Sequence, residues 1–177
     1  MEQIMEVIKR RASVRAYLDK PLPEEVIGSI LEAAKHAPTA RNLQELEYRV
    51  ITNKALMQRA SDTITAALAE QGQPMQPKYR PSFFYGAPLL ILIIGPQDNH
   101  WIYSDAALSA QNIMLYATSI NLGSCFIGMT RFMESDKNIM DELHIAEGLK
   151  IAAAVICGYP SEKPLPPEKK LNAEFFK

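Results

Sequence analysis

Apolar positions along this chain fall into three kinds of run, and each predicts a different element. Repeats of three and four predict helices lying on a core. Residues 2–11 carry Ile4, Met5 and Ile8 at that spacing, predicting a short amphipathic helix that ends in Lys9, Arg10 and Arg11. Val26, Ile27, Ile30, Leu31 and Ala34 form a second stripe, opened by Pro23-Glu24-Glu25. There proline has no N–H to leave unpaired, and the acids meet the positive end of the helix dipole. That helix is expected to stop near Ala37, because a residue before proline is pushed out of helical backbone. Asn53 is placed to cap a third helix running to about Glu70.

Alternating and unbroken runs predict strands. Residues 48–52 alternate, whereas Pro88-Leu89-Leu90-Ile91-Leu92-Ile93-Ile94 is apolar throughout, the pattern of a strand buried on both faces. Shorter apolar runs at 124–127 and 151–157 predict two more strands, with a polar helix from about 134 to 143 between them. The third kind of run is residues 102–121, a helix apolar nearly all round. Leu108 and Leu115 fall on one side, and Ala106, Ala110, Ile113 and Ala117 on others. Such a helix needs cover on nearly every side, which one chain of 177 residues struggles to give. A homodimer is therefore expected, a central core helix in a monomer being the alternative. Pro160, Pro164, Pro166 and Pro167 exclude regular structure from the tail, which needs a surface such as a partner subunit to lie on.

Composition narrows the function classes. No repeat or linker divides the chain, so residues 1–177 read as one domain with a tail from about 160. A net charge of −1 gives no overall pull toward nucleic acid or an anionic membrane. Charges at Glu2, Glu6, Lys9, Arg10 and Arg11 argue against a signal peptide, and no apolar run reaches the ~20 residues of a membrane span. Cys125 and Cys157 form no CxxC pair and sit in apolar runs, pointing to reduced thiols in the cytoplasm. His36, His100 and His144 lack metal-ligand spacing, so no metal is expected.

Two motifs carry the candidate chemistry. Arg11-Ala12-Ser13-Val14-Arg15 offers two guanidiniums and a hydroxyl at a helix end. Read alone, this is equally a solvated basic terminus facing the helix dipole. Ala37-Pro38-Thr39-Ala40-Arg41-Asn42-Leu43-Gln44 adds a hydroxyl and two amides on a turn. Neither motif holds an evident nucleophile or base, so no catalytic side chain is assigned. Equipment of this kind grips a phosphorylated cofactor and leaves the chemistry to it. No Gly-x-Gly-x-x-Gly occurs, so a Rossmann-type nicotinamide site is not expected.

Further segments follow in order: Gly86-Ala87-Pro88, Asp105-Ala106-Ala107-Leu108-Ser109-Ala110-Gln111-Asn112, Asn121-Leu122-Gly123-Ser124-Cys125-Phe126-Ile127-Gly128, and Gly158-Tyr159-Pro160 before a basic tail. In this sequence of motifs the chain resembles the nitroreductase family of FMN oxidoreductases. The resemblance implies an α+β sandwich with a mixed, mainly antiparallel sheet flanked by helices, in an intertwined homodimer that exchanges its tails. It implies that Arg11, Ala12 and Ser13 hold the flavin phosphate or ribityl chain and that Arg15 reaches the pyrimidine edge. Pro38, Thr39, Asn42 and Gln44 would reach a flavin from the partner subunit. Phe126, Ile127 and Gly128 would pass along the flavin and offer a backbone N–H to N5, and Lys169 or Lys170 would close on the phosphate. The aromatic segment Tyr79, Phe83 and Phe84 would wall a pocket shared by NADH or NADPH and an organic acceptor such as a nitroaromatic or quinone. Reductive dehalogenation, desaturation or mere flavin carriage are the alternatives that such a fold leaves open.

Overall fold

The computed structural model describes residues 4–73 and 82–176. Five helices and four strands form, in chain order, α1 (Ile4–Arg10), α2 (Glu24–Lys35), β1 (Glu47–Ile51), α3 (Lys54–Glu70), β2 (Leu89–Pro96), α4 (Ile102–Ser119), β3 (Gly123–Phe126), α5 (Lys137–Glu142) and β4 (Leu149–Gly158). The strands make one sheet in the order β1-β2-β4-β3. Every strand pair is antiparallel. The expected mixed sheet is thus not found among the four strands; its parallel component shrinks to one bridge, Ser13 to Ser124. Between Ile93 and Ile94 the register slips, so that Ile93 faces Ala153 and Ile94 faces Ile151, leaving Ala152 as the extra residue of a bulge.

The unbroken apolar run makes β2 the centre of the molecule. Leu89, Ile91 and Ile93 join Ile30, Ala34, Ala106, Ala110 and Ile113 on the face covered by α2 and α4. Leu90, Leu92 and Ile94 join Ile64, Leu68, Met133 and Ile139 on the face covered by α3, α5 and the 3-10 segment Gly128–Ser135. All six β2 side chains are fully buried. Burying an aliphatic side chain of this size contributes about 1.5–3 kcal/mol.

Local signals explain most boundaries. Asn53 accepts the Leu56 N–H at 3.1 Å and starts α3 where expected. Pro23 stands one position earlier than a first-turn proline, as the extended residue before Glu24. The polar helix near 134–143 is shorter than expected. Asp136 leaves helical backbone and caps Asn138 at 2.9 Å, so that a 3-10 segment precedes α5. Helix α4 differs most from expectation. Ile102, Ala106, Ser109, Ala110, Ile113 and Ala117 face inward, but Tyr103 and Leu108 are 57% and 46% exposed in the single chain. The apolar side of α1 is also exposed, at Ile4, Met5 and Ile8, with Val7 alone buried.

Candidate functional site

Residues 11–15 leave α1 as an extended segment lying on the outer edge of β3. Ser13 bridges Ser124, and the Val14 N–H donates to the Ser124 carbonyl at 2.9 Å. Extended backbone alternates its faces, so Ala12 and Val14 are buried while Ser13 and Arg15 face outward. Gly123 makes this seat possible: a Cβ there would come within 2.9 Å of Val14. Arg11 and Arg15 have no carboxylate partner among the described residues, leaving two guanidinium forks available to an anion.

The same edge carries residues 126–128. Phe126 is 41% exposed, Ile127 is buried with its N–H given to Ala154, and a Cβ on Gly128 would meet open space. Beneath them burial raises the Cys125 thiol above its ordinary pKa, with Arg15, Ser13 and Arg11 pulling it back. Burial pushes Cys157, on the neighbouring strand, up to about 12. Both thiols stay protonated and poorly nucleophilic at neutral pH. Ser124 Oγ is buried with no hydrogen-bond partner among the described residues. A cleft of about 470 Å³ opens between Ser13, Val14, Arg15 and Ala16 on one side and Glu162, Lys163, Pro164 and Leu165 on the other.

The second motif folds as a tight turn around the 3-10 segment Ala40–Asn42. Arg41, Asn42 and Gln44 all take left-handed backbone, with φ of 53–55°. Clustered strain of this kind concentrates at ligand-binding sites. Internal bonds stabilise it. The Gln44 N–H donates to Thr39 Oγ1 at 3.1 Å, and Gln44 Nε2 donates to Asn42 Oδ1 at 3.0 Å.

The two motifs occupy opposite ends of α4. Ala40 donates its N–H to Asp105 in the first turn of that helix, whereas Arg10, beside the first motif, donates to the Thr118 carbonyl in its last turn. Thirteen residues at 1.5 Å each put those anchors roughly 20 Å apart. Within one chain, then, the arginine segment and residues 126–128 come together, and the amide turn does not join them.

A family model described as the nitroreductase family matches residues 8–159. The chain belongs to that family. A protein of Archaeoglobus fulgidus with the provisional name NADH dehydrogenase/NAD(P)H nitroreductase is 27% identical over 172 residues, spanning 92% of this chain and 88% of that protein. Among solved structures, a Bacteroides fragilis nitroreductase with bound FMN superposes with a TM-score of 0.86 at 26% identity, covering 100% of this chain and 98% of its own. A Desulfitobacterium hafniense nitroreductase with bound FMN gives 0.83 at 27% identity, covering 98% and 100%.

In this single nitroreductase-family chain, the remaining expected site residues divide between the surface and the core. Lys169 and Lys170 are exposed and make no bond to the rest of the described chain; only the start of the tail is fixed, by Ser161 N–H to the Ala16 carbonyl. Phe83 and Phe84 are core residues, 5% and 1% exposed, and their rings pack among Ile64, Leu68 and Ala87. Phe84 also lines a cleft of about 390 Å³ together with Tyr17, Met57, Gln58 and Tyr85. Tyr79 lies outside the described residues. Asp105, Ser109 and Asn112 were not singled out for any role in the sequence. They form a polar stripe on α4: Asp105 holds Ala40, Ser109 donates to the Ala34 carbonyl at 3.3 Å, and Asn112 donates to the Ala33 carbonyl at 3.1 Å. The readable signal was three polar residues at i, i+4 and i+7, a spacing that lines one face of a helix.

Proposed function

We propose that this protein is a homodimeric FMN-dependent oxidoreductase of the cytoplasm, moving reducing equivalents from NADH or NADPH to an organic acceptor such as a nitroaromatic or quinone. The observation that carries this reading is the donor set on the β3 edge. Two guanidiniums without carboxylate partners among the described residues and an outward hydroxyl share this edge with open space at Gly128 and with Ser124 Oγ, unpartnered among those residues. That set fits a phosphorylated, planar, hydrogen-bonding group. Arg11 and Ser13 would hold the phosphate or ribityl chain, with Ala12 buried behind them as the hinge of the seat. Arg15 would stand at the pyrimidine edge, where a fixed cation stabilises negative charge developing on reduction. When bound, FMN supplies the two-electron chemistry between nicotinamide and acceptor.

The dimer completes the site. Exposed apolar side chains on α1 and α4, with Leu165, Leu171, Phe175 and Phe176 of the tail, supply surface for a second copy. If two α4 helices pair antiparallel about a two-fold axis, Pro38, Thr39, Asn42 and Gln44 of one copy reach the arginine segment of the other. The tail, carrying Lys169 and Lys170, would then wrap the partner and bring an ammonium to the phosphate. Two reduced, unpaired cysteines suit a reducing compartment. Among the described residues no helix is long and apolar enough to cross a membrane.

Purified protein should be yellow, dimeric, and active in NAD(P)H oxidation with menadione or nitrofurazone. Arg15→Ala should weaken FMN binding about tenfold, or lower the bound flavin's reduction potential by an equivalent amount. A colourless monomer that takes up no FMN would overturn the reading, and a loaded protein without turnover would reduce it to a carrier. Arg15→Ala with unchanged affinity and potential would remove that residue from the pyrimidine edge.

A further inference from the structure

The turn at residues 38–44 is strained, exposed and held together by its own internal bonds. Bonds from Asn42 N–H to the Thr39 carbonyl, from Leu43 N–H to the Ala40 carbonyl, and between Thr39, Asn42 and Gln44 tie the turn to itself. None of these fixes it to the body of the molecule. Among the described residues, the hydrogen bond that does so from inside the turn is the Ala40 N–H to Asp105 Oδ1, 3.0 Å long and part-buried.

Asp105 is 5% exposed and has no cationic partner among the described residues. A buried carboxylate without a counter-ion is costly unless fixed dipoles solvate it. Here the first turn of α4 supplies the positive end of a helix, and the Ala40 N–H supplies a directed donor. A charge-assisted N–H to carboxylate bond is roughly twice as strong as a neutral one. An apolar helix otherwise gains nothing from an acid facing the core.

We propose that Asp105 is a positioning residue: it clamps Ala40 to α4 and so sets the ligand-facing conformation of Arg41, Asn42 and Gln44. This rests on the reading of that turn as part of an FMN site. Left-handed backbone is disfavoured for residues that lack glycine's freedom, Asn less than most. The turn therefore tends to relax once released. With the clamp, the Asn42 and Gln44 amides meet the flavin already arranged, so less ordering opposes binding. Ser109 and Asn112 extend the clamp by holding the last carbonyls of α2, the helix from which the turn departs.

The test uses the full-length protein and four forms: wild type, Asp105→Ala, Asp105→Asn and Ala40→Pro. Proline at position 40 deletes the donor while leaving Asp105 in place, and the preceding Thr39 is already extended, as a residue before proline prefers. Two readouts are needed: FMN affinity by titration, and backbone amide exchange across 38–44 without flavin. Asp105→Ala and Ala40→Pro should each weaken FMN binding about tenfold, and the double variant should be no worse than either single one. Amide protection in the turn should fall in both. Asp105→Asn keeps an acceptor oxygen and should restore protection and most of the affinity. If Asp105→Ala does not fold, Ala40→Pro against Asp105→Asn decides the matter.

Wild-type affinity and protection in the alanine and proline variants would overturn the proposal, as would fully additive losses. A wild-type protein that binds no FMN would instead sink the functional reading. In that case the exchange measurement still decides whether Asp105 holds the turn.

Discussion

The two halves of the candidate site are built by different means. The arginine segment is fixed by backbone: a bridge to β3, a carbonyl of Ser124, and burial of Ala12 and Val14. The amide turn adds side-chain bonds to its own backbone turns: Thr39 inside it and Asp105 beneath it. Backbone pairing is indifferent to most outward-facing residue types, so Ser13 and Arg15 can vary without loss of the strand. The turn has less tolerance, because its attachment to α4 depends on one particular side chain, Asp105. Sequence change on the first half should alter ligand contacts directly; on the second it should alter placement.

That contrast breaks most visibly at Gly123. Gly123→Val forces side-chain atoms into Val14, so overpacking should destabilise the fold by about 1–3 kcal/mol and weaken FMN binding at least tenfold. Thermal unfolding and flavin titration check both; retention of both properties would show that the strand half does not depend on this close approach. Alkaline pH separates the halves next. Burial, followed by Cys157 and Cys125, holds the Tyr17 phenol well above its ordinary pKa, and Tyr17 donates to the Val14 carbonyl at 2.8 Å. Cys125 and Cys157 are raised as well. A raised folded-state pKa means that the unfolded chain loses its proton first. Stability is thus fully present below the ordinary thiol range near pH ~8.5 and falls as pH climbs toward the Cys157 value of about 12. Urea unfolding at pH 7, 9 and 10.5 should show the decline, shallower in Cys157→Ala; a flat profile would contradict it. Residues 37–46 contain no thiol or phenol, so the turn should lose amide protection only with global unfolding.

The smallest effect belongs to Thr39. Thr39→Val removes the acceptor for the Gln44 N–H, a loss of about 1 kcal/mol, whereas Thr39→Ser retains it. A severalfold drop in FMN affinity for valine with none for serine would sharpen the distinction. Equal behaviour of both variants would mean that the turn holds its shape without that bond.

Periodicity made much of the frame legible. The run ending at Ile94 reads directly as a doubly buried strand, and Asn53 reads as a cap because its side chain competes for a helix-start N–H. The helix near 134–143 was mis-sized because Asp136 satisfies its own local bonds better by interrupting the helix than by continuing it. Periodicity also says which side of α1 is apolar without saying what covers it, so exposed Ile4, Met5 and Ile8 could not be foreseen. For the site, arginines and amides announce ligand chemistry by type. Asp105 does not: its role depends on a turn sixty-five positions earlier in the chain. The same distance effect hid the burial of Phe83 and Phe84, whose aromatic character is equally suited to a pocket or a core.

Helix α4 also limits how this chain can change its length over evolutionary time. It carries a fixed attachment at each extremity, Asp105 to Ala40 and Thr118 to Arg10. One inserted or deleted residue between them would turn one attachment by about 100° and slide it about 1.5 Å relative to the other. Descendants of this sequence should therefore accumulate gaps outside residues 105–118 while keeping that interval constant.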